Sequence, residues 1–267
     1  MKNYDHYFSA NKKLWNNKTA VHVASAFYNL DAFKAGATSL NPIELAEMPD
    51  VNGKSLLHLQ CHFGMDTISF ARMGATSTGL DLSDAAITAA TELAATLQAN
   101  ARFVCANVYD ANEHISEQFD IVFTSYGTIG WLPDLQKWAN VIKERLKPGG
   151  VFYMVDFHPV VWMFDDNFSF VKYSYFNTGE PIMEELSGTY ADRNADLHDA
   201  EYGWNHSLSE IISALLDAGL TLDFFHEHLT SPYNCFNNTV EIKPGEFQIK
   251  GMEGKIPMLY SIRATKG

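Results

Sequence analysis

The sequence predicts an α/β fold: a mostly parallel seven-stranded sheet with helices on both faces, an antiparallel last strand, and a β-hairpin lid inserted after strand five. Three observations lead there. Between residues 54 and 156, short apolar runs alternate with stretches of helical length and pattern. The apolar runs are near-continuous, as expected of strands buried on both faces. The alternation then stops at residue 157 and resumes only with a helix-start signal at 207.

Residues 1–50 read as a helical cap rich in aromatic side chains (Tyr4, Tyr7, Phe8, Trp15, Phe27, Tyr28). Within it Asn41-Pro42-Ile43-Glu44 opens a short helix, with Asn41 as cap and Pro42 where its missing N–H costs nothing. Residues 54–60 are the first strand, and 66–73 a helix closed by Gly74. Residues 76–81 form a strand ending in an acid, and Ser83 caps an alanine-rich helix over 84–99. Residues 102–106 and 119–124 are the third and fourth strands. An amphipathic helix over 134–146 is stopped by Lys147-Pro148-Gly149-Gly150, and 150–156 is the fifth strand. Over 157–205, FSFVKYSYF, the turn Asn177-Thr178-Gly179 and PIMEELSGTY predict a β-hairpin. Ser207-Leu208-Ser209-Glu210 is a capping box for a helix ending at Gly219. Residues 220–229 alternate as a strand, a Pro/Gly/Asn-rich loop follows, and 257–264 close the sheet. The chain divides into a cap (1–50), a core (51–156), a lid (157–205) and the rest of the core (206–267), one domain overall.

Composition narrows the function. With 46% hydrophobic and 19% charged residues the chain builds a core, which excludes a disordered protein. Its net charge of −13 offers no basic stripe for nucleic acid. No apolar run approaches the ~18 residues of a membrane span. The start, MKNYDHYFSANKKLW, has no apolar core or cleavage site of a secretory leader. Cys61, Cys105 and Cys235 make no disulfide framework, so a cytoplasmic protein is expected, as monomer or homodimer. His226 and His228 share a strand face at metal-compatible spacing, but without a third ligand nearby no metal is expected.

In an open α/β sheet, ligands bind at the carboxyl ends of the strands. Strand one runs out into LLHLQCHFGMD, strand two ends in Asp81, and strand three ends near Asn107. An acid at the second place can accept both hydroxyls of a ribose, and an amide at the third can meet an adenine edge.

On these residues the chain resembles the class I S-adenosyl-L-methionine (SAM) dependent methyltransferases. Their first motif, roughly apolar-apolar-acid-apolar-Gly-x-Gly-x-Gly, falls on residues 56–64, where only Gly64 survives. His58 replaces the acid, and Gln60 and His62 replace the first two glycines. Gly79-Leu80-Asp81-Leu82-Ser83 is similar to the ribose-binding strand end, and Phe103-Val104-Cys105-Ala106-Asn107-Val108 to the adenine-side strand. Phe119-Asp120-Ile121-Val122 and Leu146-Lys147-Pro148-Gly149-Gly150 resemble the fourth-strand motif and the turn before strand five. The HLQCHFG variant with Trp131-Leu132-Pro133 resembles an uncharacterised bacterial branch.

The resemblance implies a Rossmann-like sheet and methyl transfer from SAM to a small-molecule acceptor. It implies cofactor contacts from Leu59, Gln60, His62, Gly64, Asp81, Leu82, Asn107, Val108 and Ser125. Tyr7, Trp15, Trp131, Trp162 and Tyr190 are candidates for the acceptor, and His158 and Tyr126 for catalysis. Gln60 and His62 must turn their side chains away or touch the ligand. Plainer roles stay open: Asp81 as a helix cap, Asn107 as a turn former, His62 as structural, His158 as a bond to loop backbone. The lid's nine acids against two bases, among many rings, suggest an amine acceptor or a solvated outer face. The rivals are a nicotinamide-dependent oxidoreductase, which lacks its GxGxxG here, and a non-catalytic module on the same fold.

Overall fold

The apolar runs assemble as their pattern dictates. In the structure, a computed structural model that describes residues 4–267, β1 (Ser55–Leu59), β2 (Thr76–Asp81), β3 (Ala101–Cys105), β4 (Phe119–Thr124) and β5 (Leu146–Phe157) are parallel. The sheet order is β3-β2-β1-β4-β5-β11-β8, with β8 (Leu220–His228) and β11 (Leu259–Lys266) at one edge. β11 is antiparallel to both of its neighbours. Side chains alternate between two buried faces, which is why no polar alternation shows in the sequence. Leu57 and Leu59 join Val122, Phe152 and Trp138 on one face, under α7 (Leu135–Arg145) and α8 (Leu208–Asp217). Leu56 joins Phe123, Tyr153 and Phe70 on the other, under α4 (Met65–Arg72).

Local signals set the helix ends. Ser83 accepts the Ala86 N–H to start α5 (Asp84–Leu97), as its hydroxyl and position require. Ser207 likewise accepts from Glu210 N–H, but the Glu210 carboxylate turns to His206 at 3.0 Å, so the capping box is only half made. Asn41 and Glu44 close a box at α3 (Pro42–Glu47). The cap region adds α1 (Asp5–Ala24) and α2 (Leu30–Lys34), and the short α6 (Ala111–His114) precedes β4.

Three expectations change. The lid hairpin pairs β6 (Ile182–Ser187) with β7 (His198–Gly203), not with residues 168–176. That stretch is a loop because Asp165 accepts the N–H groups of Ser169 and Phe170 and curls the backbone before it can extend. The Asn177 turn exists, its side chain accepting Gly179 N–H at 2.8 Å, but it leads out of that loop. Lys147-Pro148-Gly149-Gly150 belongs to the start of β5, beside an irregularity in the pairing with β4. The loop after β8 holds a further hairpin, β9 (Thr239–Lys243) with β10 (Glu246–Ile249).

α1 docks on the open edge of β7. Asn11 Nδ2 donates to the Tyr202 carbonyl at 2.8 Å, and Tyr202 N–H donates to Asn11 Oδ1 at 3.0 Å. The amide thus stands in for a strand neighbour, so the lid hairpin and the N-terminal cap form one roof.

Gly64 explains why α4 can start where it does. Its φ is +81°, and an added Cβ would lie 2.5 Å from Phe103 Cε1 and 2.9 Å from Ala90 Cβ. Both the left-handed backbone and the close packing of α4 on α5 and β3 demand a glycine. Gly64→Ala is expected to destabilise the protein by about 2–4 kcal/mol. An unchanged urea midpoint would show that the loop has room it does not have here.

Candidate functional site

The carboxyl ends of β1, β2, β4 and β5 open into a cavity of about 1010 Å3. Its floor includes the 60–66 loop, Asp81, Leu82, Asn107, Val108, Ser125, Tyr126 and Asp156. Its roof is α1, through Trp15 and Lys18, and the 157–205 segment, through Trp162, Glu184, Tyr190 and Glu201.

The first loop is built without the glycines its shape favours. Gln60 and His62 have φ of +57° and +51°, a left-handed backbone that costs a side-chain-bearing residue about 1–2 kcal/mol. Side-chain anchors offset that cost. Gln60 Nε2 donates to the Thr128 carbonyl at 2.8 Å, so this side chain crosses to the loop after β4. His62 Nε2 lies 2.7 Å from His22 Nδ1 of α1, and its ring packs edge-on against Trp15 and Phe63. The His62 N–H donates to Asp81 Oδ2 and the Ser83 N–H to Asp81 Oδ1, both at 2.8 Å. Gln60 Oε1 and His62 Nδ1 remain buried with no hydrogen-bond partner. Beneath them His58, in place of an acid, bridges Thr67 at 2.9 Å and Ser125 at 3.1 Å.

The other candidate residues sort by direction. Asp81 lines the cavity and also fastens both loops, so its cap-like role and an open ligand face coexist. Burial pushes its carboxyl up, against the Ser83 and His62 backbone bonds that pull it down. Asn107 accepts Tyr109 N–H at 3.1 Å, the turn-forming role, and still faces the cavity. Leu82, Val108, Ser125, Trp15, Trp131, Trp162 and Tyr190 line it as well. Tyr126 lines it with its hydroxyl donated to Glu44 Oε2 at 2.7 Å.

Leu59 instead sends its side chain into the core. Tyr7 lies outside the cavity wall, its ring held against Tyr202 and Trp204 at 4.9 and 5.8 Å. His158 also misses the wall. Its Nδ1 accepts Val160 N–H at 3.2 Å and its Nε2 lies 3.1 Å from Glu227 of β8, because the chain turns toward β8 and β11 at the end of β5. His158 and Tyr7, candidates from the sequence for catalysis and for acceptor contact, thus stand apart from the residues that line the cavity.

A solved S-adenosylmethionine dependent methyltransferase from Mesorhizobium loti superposes with a TM-score of 0.57 at 17% identity, over 87% of this chain and 100% of that one. The chain has the fold of the SAM-dependent methyltransferases. Residues 57–152, from β1 into β5, match the family described as a methyltransferase domain. An uncharacterized methyltransferase of Synechocystis sp. is 32% identical over 131 residues, 48% of this chain and 59% of that protein. A ubiquinone biosynthesis O-methyltransferase of Coxiella burnetii is 27% identical over 117 residues, 43% of this chain and 49% of that protein. The chain thus spans about half the length of the curated relatives it matches.

On this methyltransferase fold the structure adds residues that sequence reasoning passed over. Asp156, the visible last acid of strand five, accepts N–H groups from Gly127, Thr128 and Phe157 and so holds the loop after β4. Burial pushes its carboxyl up to about 6. Lys18 is 4% exposed, 3.3 Å from Glu201, and lies over the Trp15 and Trp131 rings at 5.1 and 5.7 Å. Nothing in the polar pattern of α1 marks it. Three of the lid's nine acids pair with lysines: Glu201 with Lys18, Asp199 with Lys13 and Glu184 with Lys172. Among the described residues no three His, Cys, Asp or Glu side chains are grouped to hold a metal ion, and no helix is long and apolar enough to cross a membrane.

Burial pushes His58 down to about 3, and burial plus the Lys18 charge pushes His22 to about 3. An unfolded imidazole takes up a proton near 6.5, so the unfolded state gains protons first as pH falls. Stability from these neutral imidazoles is complete above about pH 6.5 and is lost toward about pH 3, at up to ~1.4 kcal/mol per pH unit for each. Urea unfolding between about pH 7 and pH 4.5 should therefore show a shallower pH slope in His58→Gln than in the parent. Parallel slopes would place the proton uptake elsewhere.

Proposed function

We propose that this chain is a SAM-dependent methyltransferase acting on a small-molecule acceptor. The carrying observation is Asp81: a carboxylate at the end of β2, facing the cavity where the sheet changes direction between β1 and β4. The unpartnered Gln60 Oε1 and His62 Nδ1 in the adjoining loop are what a polar ligand would satisfy. Gln60, His62, Asp81, Leu82, Asn107, Val108 and Ser125 would hold SAM, with Asp81 on the ribose hydroxyls and Asn107 and Val108 beside the adenine. Gly64 acts through the loop's shape. Gln60, His62 and Trp131 support a place in the bacterial branch with the HLQCHFG first motif.

When bound, SAM supplies a methyl group on a positively charged sulfur that departs as a neutral thioether. The chain's own work is then alignment and exclusion of water. α1 and the 157–205 lid close over the site, and Trp15, Trp131, Trp162 and Tyr190 give the acceptor an apolar wall. Tyr126 orients rather than deprotonates: burial, then the Glu44 charge, keeps its hydroxyl protonated. A roofed cavity of this size suits a small acceptor. The free cysteines suit the reducing cytoplasm.

Thermal-shift titration tests the reading. SAM at ~100 times its Kd should add about 2.7 kcal/mol of stability, and NADH should add nothing. Asp81→Ala should cost about 1.5–3 kcal/mol of SAM affinity, roughly tenfold to over a hundredfold. A folded Asp81→Ala protein that binds SAM like the parent would sink the ribose assignment.

A further inference from the structure

A further carboxylate reaches the cavity from the first turn of α4. Asp66 is half-buried and lines the cavity. Phe27, Tyr28, Tyr126, Tyr190 and Tyr233 are among the aromatic rings that line the cavity with it. Phe27 stacks on Tyr233 at 5.8 Å and meets Tyr190 edge-on at 5.4 Å. Tyr126 meets Tyr233 edge-on at 5.0 Å. These rings come from the α1–α2 connection, the end of β4, the lid and the loop after β8, so four separate segments converge on one wall.

The charges around this wall do not balance. The Ser39 hydroxyl pulls the Asp66 carboxyl down, and no Lys or Arg pairs with Asp66 or Glu44 among the described residues. Glu44 stands behind Tyr126, its carboxyl pushed up to about 7 by burial and then by the Asp66 charge. Burial pushes Asp66 itself up to about 6. Among the described residues Lys18 and Arg193 are the cavity's Lys and Arg side chains, and both are engaged elsewhere, with Glu201 and the Phe236 carbonyl. Two carboxylates without a cation, Glu44 buried and Asp66 half-buried, in a wall rich in aromatic rings leave a site short of positive charge.

We propose that Asp66 and the rings of Phe27, Tyr126, Tyr190 and Tyr233 form an ammonium subsite, and that the methyl acceptor carries a protonated or quaternary nitrogen. The word acceptor rests on the methyltransferase reading; the subsite does not. The paired lid acids contribute little to it. The competing occupant is the amino group of SAM itself.

The test is calorimetric titration with choline and with its uncharged isostere 3,3-dimethylbutan-1-ol, with and without saturating S-adenosylhomocysteine. Choline should bind at least about tenfold tighter than the isostere. Asp66→Asn and Tyr233→Leu should each abolish that preference, and Tyr233→Phe should keep it. S-adenosylhomocysteine should bind Asp66→Asn within about threefold of the parent. Equal affinities for choline and the isostere, or no binding of either, overturn the subsite. An Asp66→Asn protein that loses S-adenosylhomocysteine as strongly as choline assigns Asp66 to the cofactor's amino group and overturns it too. A choline preference sensitive to Asp66 in a protein that ignores S-adenosylhomocysteine keeps the subsite and removes the methyltransferase reading.

Discussion

Asp81 is a half-buried carboxylate whose two oxygens each accept one backbone N–H, from His62 and from Ser83. That pair of bonds ties the end of β1 to the start of α5 across β2. It is the constraint under which Gln60 and His62 keep a backbone that neither would choose. From there the ties continue around the floor. Gln60 reaches the Thr128 carbonyl, and Asp156 takes the N–H groups of the same 127–129 turn. Two acids and an amide thus fix four strand ends, of β1, β2, β4 and β5, relative to one another. A charged side chain bonded to main-chain N–H groups makes a stronger tie than a neutral one, which suits a rim that must stay open.

The roof is held differently. Its hairpin has only two strands, too few to stand alone in water. α1 completes it, with Asn11 as an artificial strand and with Lys13, Asn17 and Lys18 on the acids of β7. His62 then joins roof to floor through His22. Cap and lid are far apart in sequence but mechanically one piece, so a change in either is felt by both.

Much of the fold was legible because its signals are local. A serine hydroxyl before an alanine-rich run starts a helix whatever surrounds it, as Ser83 does, and β2 and β4 span the same residues, 76–81 and 119–124, that the sequence predicts. The lid was harder. Its aromatic run at 168–176 has strand composition, but one side chain, Asp165, captures its backbone. The site was legible where a strand end fixes direction, as at Asp81. It was not where a turn redirects the side chain, as at His158, or where burial comes from a distant segment. Lys18 and Asp66 sit at ordinary polar positions of helices, and only the folded chain buries Lys18 and brings both to the cavity. Left-handed Gln60 and His62 were equally unreadable, since only glycine advertises that conformation.

The amide of Asn11 on the rim of β7 has one more consequence. An uncovered strand offers its main-chain groups to any other strand that drifts past, including its own copy. By filling those groups at Tyr202 with a side chain rather than a strand, α1 leaves nothing there for a second molecule to extend. The helix that closes the cavity is therefore also a guard against clumping, and shortening it would trade solubility for access.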